Sequence, residues 1–209
     1  MSREPLGADA VARRLRAKAL RVERADAEKL AGFIELLLHW NRVHNLTGIR
    51  DRDELVDRHL VESLALKSLI DGETVADIGS GGGLPGIPLA IVLPGCRFTL
   101  IESRRKRASF LRHAAATLPL ANVEVVHSRA EKLGSRQFAT VLARAVAPPR
   151  ELLEIATPLV AKGGRLVLLT GADRAREIVA LADGFAPLPL PAGPPGLKSV
   201  IVALERKLS

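Results

Sequence analysis

Apolar residues in positions 1–70 return every three or four residues, the spacing of a helix that buries one face. They predict helices over Ala8 to Leu20, Ala25 to Val43 and Asp53 to Leu69, with Leu30, Phe33, Leu37 and Trp40 along one side of the longest. From Thr74 the pattern switches to short β-branched runs separated by helical stretches, which implies βαβ units and a parallel sheet with right-handed crossovers. The first strand begins at Val75, and Cys96 to Ile101, Val123 to His127, Phe138 to Ala143 and Arg165 to Leu169 follow, the last announced by Gly163-Gly164 closing a helix. Phe185 to Leu190 and Ser199 to Leu204 predict a terminal strand pair joined by the Pro/Gly-rich loop Pro191 to Gly196. The expected architecture is α/β and Rossmann-like: a mostly parallel seven-stranded sheet in one compact unit over 71–209, with an N-terminal helical cap over 1–70.

The chain has 209 residues, enough for one sizeable α/β domain with an appendage and too few for two full domains. Its net charge of +8 attracts polyanions, so nucleic acid is the natural partner. No apolar run is long enough to cross a membrane, and Met1 to Gly7 lacks a signal core, so a cytoplasmic location is expected. A monomer is the default. Cys96 is the one cysteine and the five histidines show no ligand spacing, so neither an internal disulfide nor a metal site is expected. Positive charge gathers in two stretches, Arg97 to Arg112, which holds Arg104, Arg105, Lys106 and Arg107, and Arg13 to Arg24. Such residues neutralise phosphates and make binding fall with salt; the first stretch also reads as the solvated opening turn of a helix, although cations there oppose the helix dipole.

Chemistry concentrates in V-A-D-I-G-S-G-G-G-L-P-G, Val75 to Gly86. Gly81-x-Gly83-x-x-Gly86 fits dinucleotide spacing, whereas Asp77-x-Gly79-x-Gly81-x-Gly83 fits the pattern of S-adenosylmethionine binders. The second register is preferred. A dinucleotide site aims helix N-terminal amides at a pyrophosphate, which a neighbouring Asp77 would repel, and Pro85 removes one amide from that turn. A carboxylate there suits a ligand carrying an ammonium and a sulfonium. Glu102 closes the next strand about 20 residues on, where such folds place an acid on ribose hydroxyls, a feature both cofactor classes share. After the third strand, Ala130 and Glu131 are candidate purine contacts; Glu131 also reads as an ordinary first-turn acid.

Together with Trp40-Asn41, His44-Asn45-Leu46-Thr47, Arg58-His59-Leu60, Glu102-Ser103, Lys106-Arg107-x-x-Phe110-Leu111, Asn122-Val123, Arg129-Ala130-Glu131 and Arg144-Ala145-Val146-Ala147, the glycine motif makes nearly the whole chain resemble one family. That family is the bacterial small-subunit ribosomal RNA guanine-N7 methyltransferases, also called glucose-inhibited division protein B. Departures stand at Thr170-Gly171, where the family has Lys-Gly, at Lys198-Ser199, where it has Arg-His, at Leu84 and at Glu62. The resemblance implies a class I S-adenosylmethionine-dependent methyltransferase fold and methylation of guanine N7 in 16S ribosomal RNA near the decoding region. It implies a cofactor site over Asp77, Gly79, Gly81, Gly83, Leu84, Glu102, Ser103, Ala130, Glu131 and Arg144, and RNA contacts from Arg58, Lys198 and the Arg104–Arg107 run. Arg144 follows strand four at the carboxyl edge of the sheet. It could hold the methionine carboxylate or an RNA phosphate, or pair with a sheet-edge acid. His44, Asn45 and Arg58-His59 are candidates for closing the pocket or meeting the target base, His44 and Asn45 as catalytic residues beside Arg144; they also read as caps and interhelix ties.

Two other classes compete. A nicotinamide reductase would use the other glycine register, yet the chain contains no Tyr for a Tyr-x-x-x-Lys proton donor. A non-catalytic RNA-binding or ribosome-assembly protein retaining the fold is favoured by Thr170 and opposed by the intact set of Asp77, three glycines and Glu102.

Overall fold

The computed structural model describes residues 6–144 and 146–208, so positions 1–5, Ala145 of the R-A-V-A run and Ser209 lie outside the described residues. The N-terminal part holds α1 (Ala8–Ala17), α2 (Arg24–His44), α3 (Arg52–Glu54), a π-helical segment (Leu55–Leu60), α4 (Val61–Leu64) and a 3-10 turn (Lys67–Leu69). The helix expected over Ala8 to Leu20 stops at Ala17. There Ala19 takes a left-handed φ of 59° and the Leu20 amide bonds back to Leu15 O, a six-to-one closure that satisfies the last carbonyls. The helix expected over Asp53 to Leu69 is broken instead of continuous. Its middle widens into the π segment, which turns both His59 and, just beyond it, Glu62 inward.

Beyond it come β1 (Thr74–Ile78), α5 (Gly86–Val92), β2 (Arg97–Ile101), α6 (Arg105–Thr117), β3 (Val123–Val126), a 3-10 turn (Ala130–Lys132) and β4 (Phe138–Arg144). Next are α7 (Pro149–Ala156), a 3-10 turn (Thr157–Leu159), β5 (Val160–Thr170), α8 (Ala172–Leu181), β6 (Phe185–Pro187) and β7 (Val200–Arg206). The strands form one sheet of order β3-β2-β1-β4-β5-β7-β6. Pairing is parallel from β3 through β5 and antiparallel at β5–β7 and β7–β6. Gly163 and Gly164 do not close a helix. They sit inside β5, Gly163 at φ +70°, beside an irregularity in the β4–β5 register, and a Cβ on Gly164 would lie 2.8 Å from Ala139 O. The strand expected to Leu190 ends at Pro187, after which Pro189 and Pro191 cannot donate to a ladder.

Both faces of the sheet are covered. Val75, Phe98, Leu100, Leu142 and Val167 join one core cluster with Ile87 and Leu89 of α5, Phe110 and Leu111 of α6, and Leu30, Phe33, Ile34 and Leu37 of α2. Ala76, Ile78, Val141, Ala143, Leu166 and Leu168 join the other with Leu152 and Leu153 of α7 and Ile178 of α8. Neighbouring residues thus alternate faces, and double-sided burial accounts for the nearly unbroken apolar strands. The central α5, G-I-P-L-A-I-V, is buried at all seven residues. A helix apolar on every side has no solvent face to offer. The chain passes from β1 outward to β3 and returns to β4 beside β1, so the crevice at the carboxyl ends of β1 and β4 is the switch point at which open α/β sheets bind ligands.

Candidate active site

The glycine turn fills one side of that crevice. Ser80 N–H donates to Ile101 O at 3.1 Å and Gly83 N–H to Ser80 O at 2.7 Å, which folds the chain back immediately after β1. Gly79, Gly81 and Gly83 have φ of +65°, +53° and +76°, values that residues with a Cβ rarely adopt. Gly86 is needed for space: a Cβ there would stand 2.5 Å from Leu100 Cδ2 and 2.7 Å from Asp77 Oδ2.

The turn offers little to a phosphate. Gly86 N–H donates to Asp77 Oδ2 at 3.2 Å, Ile87 N–H donates to Gly83 O at 2.8 Å, and Pro85 and Pro88 have no N–H. Asp77 itself is 1% exposed, and its Oδ1 has no hydrogen-bond partner among the described residues. Burial pushes this carboxyl up to about 7. A buried carboxylate oxygen without a donor is completed by a cationic ligand group, so the site fits the ammonium-bearing end of a methionine-type cofactor and disfavours a pyrophosphate.

Glu102 binds the turn from the next strand. Its Oε2 accepts Gly81 N–H at 2.9 Å and its Oε1 accepts Arg104 N–H at 2.7 Å, tying the glycines to the start of α6. Each oxygen keeps a lone pair, so these bonds leave room for ribose hydroxyls. Beyond Glu102 a cleft of about 180 Å³ is bounded by Ile78, Gly79, Ser103, Ala130, Glu131 and Val146. Its walls are mixed, apolar at Ile78, Ala130 and Val146 and polar at Ser103 and Glu131, which suits a flat heterocycle with hydrogen-bonding edges. Glu131 lines this cleft and stands in a three-residue 3-10 turn, whose dipole is too short to call for an acid; that favours the purine-contact reading. Leu84 is 3% exposed and belongs to the core, so a ligand would meet its backbone before its side chain.

Arg144, at the end of β4, is half-buried and reaches into the N-terminal part, where its Nη1 donates to His59 Nδ1 at 2.9 Å and lies 3.6 Å from Glu62 Oε2. The acid beside it therefore comes from the N-terminal helices and not from the sheet edge. Glu62 is a hub that sequence reasoning missed: Ser199 Oγ donates to its Oε1 at 2.7 Å, with Arg58 Nε 3.7 Å from the same oxygen. Burial alone would raise the Glu62 carboxyl, but the Ser199 hydroxyl and the guanidiniums of Arg144 and Arg58 hold it below the usual carboxylate range. Burial lowers both His59 and Arg144 from their ordinary values. On the far side of His59, Nε2 lies 2.8 Å from Thr47 Oγ1. Thr47 and Ser199 were missed with Glu62. The available signal was an acid in the apolar stretch Val61–Leu64, four positions after Arg58 and hence on the same helical face.

His44 and Asn45 sit nearby with different duties. His44 packs its ring 5.2 Å from Trp40, and Asn45, at φ 47°, caps α2 in the left-handed conformation. The polar bonds of this corner run instead through Asn41, whose Oδ1 accepts Thr47 N–H at 2.9 Å and whose Nδ2 donates to Ile49 O at 3.2 Å. Among the basic residues, Arg104, Arg105 and Lys106 are exposed at the start of α6, and Arg107 Nη1 comes within 3.7 Å of the place a Gly81 Cβ would take. Arg58 and the exposed Lys198 stand at the other flank, beside Glu62 and Ser199. In the second basic stretch Arg14 is withdrawn from any ligand by ion pairs at 2.7 Å to Asp53 and Asp57.

A mostly parallel seven-stranded sheet with an antiparallel last strand, a glycine turn after β1 and an acid after β2 defines a class I methyltransferase. In keeping with this, the fold is similar to that of a methyltransferase from Geobacter sulfurreducens, with a TM-score of 0.59 at 16% identity over 84% of this chain and 88% of that one. It is also similar to a predicted O-methyltransferase from Agrobacterium tumefaciens, with a TM-score of 0.56 at 22% identity over 69% and 80%. The sequence profile of the rRNA small subunit methyltransferase G family, GidB, matches residues 26–187. Relatives named ribosomal RNA small subunit methyltransferase G include one from Xanthomonas euvesicatoria, 41% identical over 84% of this chain and 82% of the relative. Another, from Aromatoleum aromaticum, is 40% identical over 90% and 93%. The chain belongs to this family. It is an S-adenosylmethionine-dependent methyltransferase of small-subunit ribosomal RNA.

Proposed function

We propose that the chain methylates N7 of one guanine in 16S ribosomal RNA, with Asp77, Gly79, Gly81, Gly83, Glu102, Ser103, Ala130 and Glu131 holding the cofactor. The observation that carries this reading is the meeting of Asp77 and Arg144 at the adjacent carboxyl ends of β1 and β4, where the register pairs Ile78 with Ala143. When bound, S-adenosylmethionine supplies an electrophilic methyl group. Guanine N7 has an in-plane lone pair and loses no proton, so the protein's task is to align the base and exclude water. Asp77 Oδ1 receives the cofactor's ammonium group, and Glu102 receives ribose hydroxyls while keeping Gly81 in place. Arg144 grips either the methionine carboxylate or an RNA phosphate beside the target base. Arg104 to Arg107 on one flank and Arg58 and Lys198 on the other engage RNA phosphates across the mouth of the crevice. Positions 1–70 act as a cap on the 71–209 methyltransferase unit, and the protein works as a metal-independent monomer in the cytoplasm.

The test is transfer of labelled methyl from S-adenosylmethionine to small-subunit RNA and particles from a strain lacking the protein, followed by borohydride and aniline cleavage, which cuts at N7-methylguanine. One cleavage site is the expected result. Label at any other atom discards the N7 assignment.

A further inference from the structure

We propose that His59 is a positioning residue for Arg144: a neutral imidazole with its one ring proton on Nε2, aligning the guanidinium from one side while Thr47 fixes the ring from the other. This rests on the reading that Arg144 serves the reaction.

The tautomer follows from donor and acceptor inventory. A guanidinium can only donate, so His59 Nδ1, 2.9 Å from Arg144 Nη1, presents a lone pair. The ring proton is then on Nε2, which donates to Thr47 Oγ1 at 2.8 Å. Thr47 Oγ1 also accepts Ile49 N–H at 3.2 Å, so both of its acceptor sites are used and the ring has one consistent orientation. The backbone beneath is fixed as well, since Ser63 Oγ donates to His59 O at 2.7 Å and the side chain is only 7% exposed.

Thr47 links this contact to the glycine turn. The neighbouring Leu46 lies against that turn, its carbonyl oxygen 3.2 Å from where a Gly82 Cβ would stand. One continuous line therefore runs from the glycine turn through Leu46, Thr47 and His59 to Arg144. It joins the two elements, the glycine turn and the end of β4, that border the crevice.

The groups facing His59 are Arg144 from β4, Thr47 from the loop after α2, and Arg58 and Glu62 from its own segment; Ser199, ahead of β7, acts on Glu62, and Asp77 faces Arg144. Glu62 Oε2 is 3.8 Å from Nδ1, too long for a hydrogen bond. A second ring proton would point at the Arg144 guanidinium, break the contact and turn the ring towards Glu62. Methyl transfer should thus require unprotonated His59, giving an acid limb in kcat at saturating cofactor. The titration of Asp77 shows separately, in cofactor affinity.

His59→Asn and His59→Gln divide the two ring nitrogens between them. The Asn carboxamide stands near Nδ1 and can still accept from Arg144, whereas the Gln carboxamide reaches the Nε2 position and serves Thr47 alone. We expect H59N to keep kcat within about fivefold of the parent and to lose the acid limb, and H59Q to lose at least about tenfold in kcat with little change in KM for RNA. Thr47→Val, which frees the ring, should fall between them. In the unaltered protein, nitrogen-15 spectra should show His59 Nδ1 as an unprotonated, hydrogen-bonded nitrogen at neutral pH. Equal activity of H59N and H59Q, an acid limb surviving in H59N, or an imidazolium at neutral pH overturns the proposal. Arg144→Ala separates this from the reading beneath it: if R144A stays fully active, the role of Arg144 falls too, and if R144A is inactive while both His59 variants are not, only the positioning role falls.

Discussion

Ser199 and Glu62 are 137 positions apart in sequence, yet the serine hydroxyl donates to the buried Glu62 Oε1 at 2.7 Å. This bond fastens the approach to the last strand onto the N-terminal helices, beside Arg144. Both residues stand at positions read from the sequence as departures from the family it resembles, and here they are each other's partners.

Removing the serine hydroxyl leaves Oε1 with Arg58 at 3.7 Å, a pair that adds little because Arg58 is 40% exposed. Ser199→Ala is expected to cost about 1–2 kcal/mol. Glu62→Ala strips the half-buried Arg144 of its carboxylate and should cost about 3–5 kcal/mol. Urea unfolding curves of both variants check the order, and a serine variant as damaging as the glutamate one would contradict it.

Gly86→Ala forces a methyl group against Leu100 and the Asp77 carboxylate at once. Both are fully buried side chains on central strands, Leu100 on β2 and Asp77 on β1, with little room to yield, so a loss of about 2–4 kcal/mol in stability is expected. Affinity for S-adenosylhomocysteine should fall as well, since Asp77 must move. Calorimetric titration and thermal melting of G86A read the two effects.

The Asp77 carboxyl is raised from 3.8 to about 7 by burial, so between those values the folded chain holds a proton that the unfolded chain has released. Folded-state proton excess makes the slope of stability with pH negative. The Asp77 contribution is therefore greatest below the unfolded value and declines by about 4 kcal/mol as pH rises through 7. Asp77→Asn should abolish that decline, seen as a stability gain over the parent that grows from about pH 5 to about pH 8. Binding of S-adenosylhomocysteine, with its ammonium group, should release a proton and tighten as pH rises through 7 in the parent only. Titrations in two buffers of different ionisation enthalpy measure that proton.

At the start of α6, the exposed Arg105 and Lys106 are expected to act through charge alone. Replacing each by Ala should lower the slope of log affinity for small-subunit RNA against log salt by about one, and both by about two. Cofactor affinity should not change. Filter binding over a salt series decides it, and an unchanged slope would assign the run to the solvated helix face.

The sheet and the glycine turn were legible in the sequence because both are local patterns. Apolar runs at regular spacing predict strands wherever both faces are buried, and Asp77 with its three glycines falls within seven consecutive residues. Elements misread were those whose form depends on distant contacts. Gly163-Gly164 resembles a helix stop in isolation and becomes a strand irregularity only because β4 lies alongside. The π segment at Leu55–Leu60 leaves no mark on the apolar spacing, yet it delivers His59 and, just beyond, Glu62 to the crevice. Thr47, Glu62 and Ser199 come from three separate stretches, and no spacing rule joins them. The sequence pointed to Arg144 as a holder of the methionine carboxylate or an RNA phosphate, with a sheet-edge acid as the alternative partner, while the acid beside it is Glu62 of the N-terminal helices.

Because α5 is enclosed between α2 and α4 on one side and the sheet on the other, those N-terminal helices cannot lift away without exposing an entirely apolar helix to water. Seven residues such as these would oppose opening by several kcal/mol. The packing of α5 thus opposes widening of the crevice by movement of the N-terminal helices. On the proposed reading the guanine leaves its stack and enters between Arg104–Arg107 on one side and Arg58 and Lys198 on the other, which places the conformational work of the encounter on the RNA.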